Sequence, residues 1–174
     1  EIAKRGLVRS FQIAQLFDRM SVLENVRVAA QTDGRHFDFW SDIEDDEQSN
    51  RRAEAVLERV GLADKRDTPA ANLSHGEQRT LEVAVALGTD PKLLLLDEPS
   101  SGMSPEETTE VIHLLGELAD DHPIILIEHK MAVVREVADR IIVLHRGEKI
   151  ADGPPSEVRE DERVRRVYLG EQEL

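Results

Sequence analysis

The stretch from Pro91 to Ser104, Pro-Lys-Leu-Leu-Leu-Leu-Asp-Glu-Pro-Ser-Ser-Gly-Met-Ser, constrains the fold more than any other part of the chain. Four successive leucines, Leu93 to Leu96, are too few for a helix face and suit a strand buried on both sides. Asp97 and Glu98 follow directly, and Pro99, which has no amide hydrogen to give a sheet ladder, ends the strand. An apolar strand thus delivers two adjacent carboxylates to the carboxyl edge of a sheet, where open α/β folds keep their ligands. A buried strand that happens to end in acids would read the same way, so the remaining segments have to discriminate.

Ile124–Ile127 predicts a second fully buried strand, ending at Glu128-His129, and Ile141–Leu144 a third apolar strand. Residues 6–12 predict a short strand ending at the polar Gln12. Three Ser-x-x-Glu capping boxes, in which hydroxyl and carboxylate satisfy the orphan amides of a first helical turn, mark helix starts. They are Ser21–Glu24 (helix to about Ala30), Ser74–Glu77 (to Gly88) and Ser104–Glu107 with Pro105 at the first helical position (to about Leu118). Another helix spans about Asn50 to Val60, with Ala53, Leu57 and Val60 on one face and Gly61 as a left-handed cap. Residues 31–47, with Phe37, Phe39 and Trp40, have no clear period and predict an exposed insertion, and 62–72 a polar connector. Met131–Ala138 predicts a helix, Gly147 a turn into a strand reaching Ala151, and Pro154-Pro155-Ser156 a small terminal helix. Residues 164–169 read as a mixed-charge tail.

With 174 residues and 40% hydrophobic content the chain can bury one core, built on aliphatic side chains because aromatics make up only 3%. A formal charge of −14 excludes a nucleic-acid surface, which needs clustered cations. The absence of cysteine excludes a disulfide framework and thiolate metal sites. No apolar run approaches the ~20 residues of a membrane-spanning helix. The first residue is Glu1 rather than Met, and the chain is expected to be a piece of a longer protein.

The predicted strands bring Asp97, Glu98 and His129 to one sheet edge. One carboxylate of such a pair can hold Mg²⁺ through water while the other orients an attacking water, the division that phosphoanhydride hydrolysis requires. An imidazole beside them can contact a transferred phosphoryl group, although a histidine leaving a strand is often only structural. Ser74, Gly76 and the open amides of a helix N-terminus form an anion site or an ordinary capped helix.

Taken in order, Gln12, Leu73-Ser-His-Gly-Glu-Gln78, Leu93–Pro99 and His129 resemble the Q-loop, signature, Walker B and switch-histidine motifs of the ATP-binding cassette ATPases. The likeness covers nearly the whole chain. Arg9-Ser-Phe-Gln12, Gly102-Met-Ser-Pro-Glu106, Ile127-Glu-His-Lys-Met131 and Tyr168-Leu-Gly170 are similar to the branch serving branched-chain amino-acid importers. The resemblance implies an α/β P-loop NTPase (RecA-like) three-layer core with an inserted α-helical signature subdomain, truncated at its N-terminal side. It implies a helical subdomain at about 13–88, a partial core at about 1–12 and 89–154, and a C-terminal helix and tail at about 155–174.

It also implies roles. Asp97 would hold Mg²⁺, Glu98 would polarise the hydrolytic water and His129 would contact the γ-phosphate. Gln12 would reach the Mg²⁺ or water, and Ser74 and Gly76, with Glu77 and Gln78, would belong to the surface binding ATP held by a second subunit. The implied partners are a head-to-tail homo- or heterodimer of ATPase subunits, transmembrane permease subunits and, indirectly, a periplasmic or extracellular solute-binding protein. The implied location is the cytoplasmic face of the cell membrane.

Three residues depart from the family pattern: His75 replaces the first signature glycine, Ser104 stands where many members have Asp, and Lys130 follows the switch histidine. Gly-Lys-Ser/Thr occurs nowhere, so there is no phosphate-binding loop or its lysine, and the adenine-stacking aromatic is missing too. A gap between 124–127 and 141–144, with open apolar edges, is expected in consequence. This chain alone is expected to bind ATP weakly and hydrolyse essentially none. A soluble cassette ATPase acting on DNA would need a basic surface, and a non-catalytic interaction domain would not need Asp97, Glu98 and His129 together.

Overall fold

The computed structural model describes residues 7–9, 16–31 and 47–172. Gln12 and most of the predicted insertion, including Phe37, Phe39 and Trp40, lie outside the described residues. The chain divides into two compact units, residues 1–128 and 129–174.

In the first unit, strands β1 (Leu7–Arg9), β2 (Leu93–Asp97) and β3 (Ile124–Ile127) form a parallel sheet with β2 in the centre. Leu93 pairs with Leu7 on one side, and Leu94 with Ile124 on the other. Being central explains the leucine run, but only Leu94 and Leu96 are completely buried; Leu93 and Leu95 are half-buried. The expectation of a fully buried β3 is corrected more strongly. Ile125 and Ile127 are 51% and 47% exposed: they alternate with the half-buried Ile124 and Leu126 and face outward, on a strand that, among the described residues, pairs with β2 alone.

Helices α1 (Val22–Ala30), α2 (Glu47–Arg59) and α3 (His75–Gly88) pack on one another. Their shared interior includes Val22, Val26, Ala53, Leu57, Leu81 and Ala84, all essentially without exposed surface. Each buried leucine there contributes about 1.5–3 kcal/mol of transfer free energy. The approach of α1 to α3 needs a glycine at 88, since a β-carbon there would stand 3.0 Å from the Val26 carbonyl oxygen. Asn25, buried to 3% exposure, ties the connector to α1: its Oδ1 accepts from the Phe17 amide at 2.8 Å, and its Nδ2 donates to the Phe17 and Ser21 carbonyls. Gly61 takes the left-handed φ of +75° expected after α2, and the connector beyond it contains two 3-10 turns, Ala63–Lys65 and Ala70–Asn72. Helix α4 (Pro105–Ala119) runs between β2 and β3, and Arg59 at the end of α2 donates to the Glu117 carbonyl and to Asp121 near its C-terminus.

The second unit contains α5 (Met131–Val137), an antiparallel pair β4 (Ile141–His145) and β5 (Glu148–Gly153), then α6 (Pro155–Glu160) and α7 (Glu162–Gln172). Arg146 and Gly147, at φ +48° and +83°, form the two-residue turn, the left-handed pair that matches strand twist in tight hairpins. Strand β4 bonds to β5 and, among the described residues, to no other strand; Ile142 and Leu144 on it are 56% and 70% exposed. The mixed-charge tail expected over 164–169 is instead part of α7. Asp161 accepts from the Arg163 amide at 2.8 Å at its start, and Val164 packs with Ala151 and Val158 in a small core. Among the described residues of this helix, the buried Val164 sits between charged neighbours that hide it in the sequence.

Candidate functional site

The carboxyl end of β2 carries the acids. Asp97 is the last strand residue, paired with Ile127 of β3, and the Glu98 amide donates to the Ile127 carbonyl at 2.8 Å. Glu98 then turns into the left-handed region, φ +48°, a conformation that costs a residue with a β-carbon roughly 1–2 kcal/mol. The turn is closed by the Ser101 amide donating to the Glu98 carbonyl at 3.0 Å and the Met103 amide to the Ser100 carbonyl at 3.4 Å. Ser100 has no exposed surface. Its amide, at 3.2 Å, and its hydroxyl both donate to Oε1 of Glu128, the residue that follows β3.

The start of α3 lies against the same loop. Ser74 is exposed and caps the helix: its Oγ accepts from the Glu77 amide at 3.2 Å, and Glu77 Oε2 accepts from the Ser74 amide at 2.8 Å. Glu77 Oε1 is held by the Lys65 ammonium. That ion pair, together with the Ser74 hydrogen bonds, keeps the Glu77 carboxyl below its usual range. Gln78 donates to the Ala70 carbonyl at 3.3 Å, so Glu77 and Gln78 both hold the local structure of the turn. Ser74 and the backbone of residues 75–76 are what the turn can offer to an anion.

Two close approaches join this turn to the loop after β2. At Gly102, φ +75°, a β-carbon would stand 2.9 Å from the His75 imidazole. At Gly76 it would stand 2.3 Å from Oε1 of Glu107, whose Oε2 caps α4 by accepting from the Ser104 amide at 2.9 Å. A hollow of about 300 Å³ adjoins the turn, lined among others by Ser74, Gly76, Met103, Glu107 and Leu114. Asp97, Glu98, Ser74 and Gly76 thus belong to one unit, with loop 98–104 between them. His129 is exposed and opens the second unit, two residues beyond β3. Glu107 is the acid of the Ser104–Glu107 capping box, whereas no site role is read from the sequence for Ser100, Glu128 or Lys65; the hint for Glu128 is an acid beside a predicted strand end.

Comparison with known proteins bears on family and fold. The family profile described as ABC transporter matches residues 1–101, more than half of the chain. The high-affinity branched-chain amino acid transport ATP-binding protein LivG of Salmonella typhimurium is 40% identical over 179 residues, covering 98% of this chain and 70% of LivG. The chain belongs to the ATP-binding cassette family. A second profile, branched-chain amino acid ATP-binding cassette transporter, matches residues 148–173 of this cassette. BraF of Pseudomonas aeruginosa, also named for high-affinity branched-chain amino acid transport, is 35% identical over 182 residues, with 98% and 70% coverage. Among solved structures, an ABC transporter's ATP-binding cassette in its ADP conformation superposes with a TM-score of 0.81 at 30% identity, covering 97% of this cassette and 70% of that chain. The fold is therefore that of the P-loop NTPases, α/β as the sequence predicts.

Proposed function

We propose that this cassette is the ATP-hydrolysing motor of an ABC importer for branched-chain or other hydrophobic amino acids. The observation that carries the reading is the similarity to LivG over 98% of the chain, joined to a C-terminal match to the branched-chain profile. The geometry supports it. The paired acids stand at the carboxyl edge of a parallel sheet, and the exposed, capped start of α3 borders the loop that follows them.

In this reading Asp97 holds Mg²⁺. Among the described residues no group of three or more acidic, histidine or cysteine side chains forms a metal cage. A single carboxylate supplemented by phosphate oxygens and waters suits Mg²⁺, which keeps much of its hydration. The ion, when bound, neutralises charge on the β- and γ-phosphates. Glu98 accepts a hydrogen bond from the attacking water and aligns it, His129 donates to the γ-phosphate, and Gln12 reaches the Mg²⁺ or water and reports to the membrane subunit. Ser74 and Gly76 meet the γ-phosphate of ATP on a second ATPase subunit, with Glu77 and Gln78 shaping that turn. The helical segment at about 13–88 meets transmembrane permease subunits, and residues 1–12 with 89–154 supply the core. The cassette works at the cytoplasmic face of the membrane, with a solute-binding protein acting through the permease; no helix among the described residues is long and apolar enough to cross a membrane. Residues 1–174 contain no Gly-Lys-Ser/Thr loop and hydrolyse essentially no ATP by themselves.

The test is Glu98→Gln in the full gene product, assayed for phosphate release and for ATP-dependent dimerisation. Turnover is expected to disappear while an ATP-bound dimer accumulates. Undiminished turnover would refute the assignment of Glu98 and the motor reading built on it.

A further inference from the structure

Glu98 leaves β2 in a left-handed backbone, φ +48°, that a side chain with a β-carbon adopts only where its surroundings over-determine it. The surroundings are all within reach of the end of β3. The Glu98 amide is fixed on the Ile127 carbonyl at 2.8 Å, and the Glu98 carbonyl receives the Ser101 amide at 3.0 Å. Between these two bonds sits Ser100, without exposed surface, whose amide and hydroxyl converge on a single oxygen of Glu128. A neutral side chain of the same reach accepts two donors less strongly than a carboxylate, and an apolar one would remove the acceptor that both share.

We propose that Glu128 is a positioning residue for Glu98. By accepting both Ser100 donors it keeps the turn at 98–101 closed onto the end of β3, and so sets the direction in which the Glu98 carboxylate leaves the sheet. The inference rests on the reading of Glu98 as the residue that aligns the attacking water. It adds a specific requirement: the acid must be directed by a second acid that acts through the Ser100 turn.

The experiment compares Glu128→Ala, Glu128→Gln and Ser100→Ala in the full gene product, measuring kcat and KM for ATP and the thermal midpoint. Misdirecting a water-aligning group lowers kcat without weakening ground-state binding. Glu128→Ala is expected to lose about tenfold or more in kcat, with KM changed by less than about twofold. Glu128→Gln, whose amide oxygen still accepts, is expected to recover most of the turnover. Ser100→Ala keeps the backbone donor and is expected to fall between them, and it decides the matter if the alanine at 128 fails to fold. Wild-type kcat in Glu128→Ala or Ser100→Ala overturns the proposal, as does a loss expressed mainly in KM or one that Gln does not relieve. If the wild-type protein itself shows no turnover, or Glu98→Gln keeps it, the motor reading fails and this inference fails with it. If Glu98→Gln is inactive while the variants at 128 and 100 behave as wild type, only the inference fails.

Discussion

Ser74 is both a helix cap and a candidate phosphate contact, and the fold supplies its own control for separating the two. Three capping boxes share one geometry. In each the serine Oγ accepts from the third-residue amide at 3.2 Å, at Ser21, Ser74 and Ser104 alike. The glutamates accept in return from the serine amides at 2.7, 2.8 and 2.9 Å. Replacing a capping serine by alanine costs about 1 kcal/mol, which lowers the thermal midpoint by roughly 2–4 °C in a chain of this size. Ser21→Ala and Ser74→Ala should therefore destabilise the protein equally. They should differ in turnover. A hydroxyl hydrogen bond to a charged phosphate is worth about 1.5–3 kcal/mol, so Ser74→Ala should lose roughly ten- to a hundredfold in kcat/KM, while Ser21→Ala keeps wild-type activity. Ser74→Thr retains the hydroxyl and should keep both stability and turnover. Thermal unfolding and steady-state phosphate release in the full gene product give both readings. Equal activity losses in the two alanine variants, or an unchanged kcat/KM in Ser74→Ala, would refute the phosphate contact and leave Ser74 an ordinary cap.

Gly76→Ala gains about 1 kcal/mol of helix propensity but drives a methyl group into the Glu107 carboxylate, so its effect on stability should be small. In a Glu107→Ala background the same change should stabilise by that amount, and a double-mutant cycle from urea unfolding that shows no coupling would contradict the contact. Asp152 is held down to about 2 from its ordinary 3.8, first by the hydrogen bond from Arg140 and then by that from Lys149. The carboxylate's contribution to the β4–β5 pair is thus present above about pH 4 and lost as the pH falls through about 2. Asp152→Asn should flatten the acid limb of the thermal midpoint between those values, and an acid limb identical to wild type would rule the contribution out.

Much of this was legible from residue order because local signals agree with one another. Each Ser-x-x-Glu box begins a helix where expected, since the reciprocal bonds need only four residues to form. Gly61 adopts the left-handed backbone expected of it, and Gly147 lies in the turn expected there. The errors arise where neighbours in space decide. An open edge beside β3 is expected from the missing neighbour, but nothing in Ile-Ile-Leu-Ile tells that alternate side chains of the strand are exposed. Helix α7 is hard to read because Val164, buried in the small core, stands amid charged residues. The Ser100–Glu128 bond spans 28 positions, and Asn25 was invisible as a buried staple because its four hydrogen bonds go to backbone atoms that any sequence could supply.

The backbone at Glu98 has a consequence for how such a chain can drift. Glycine would relax the left-handed kink by about 1 kcal/mol at the cost of the acid, so on the proposed role of Glu98 thermal robustness and hydrolysis would pull in opposite directions at this one position. On the same proposed role, a lineage released from the need to hydrolyse ATP would have a downhill path at this position.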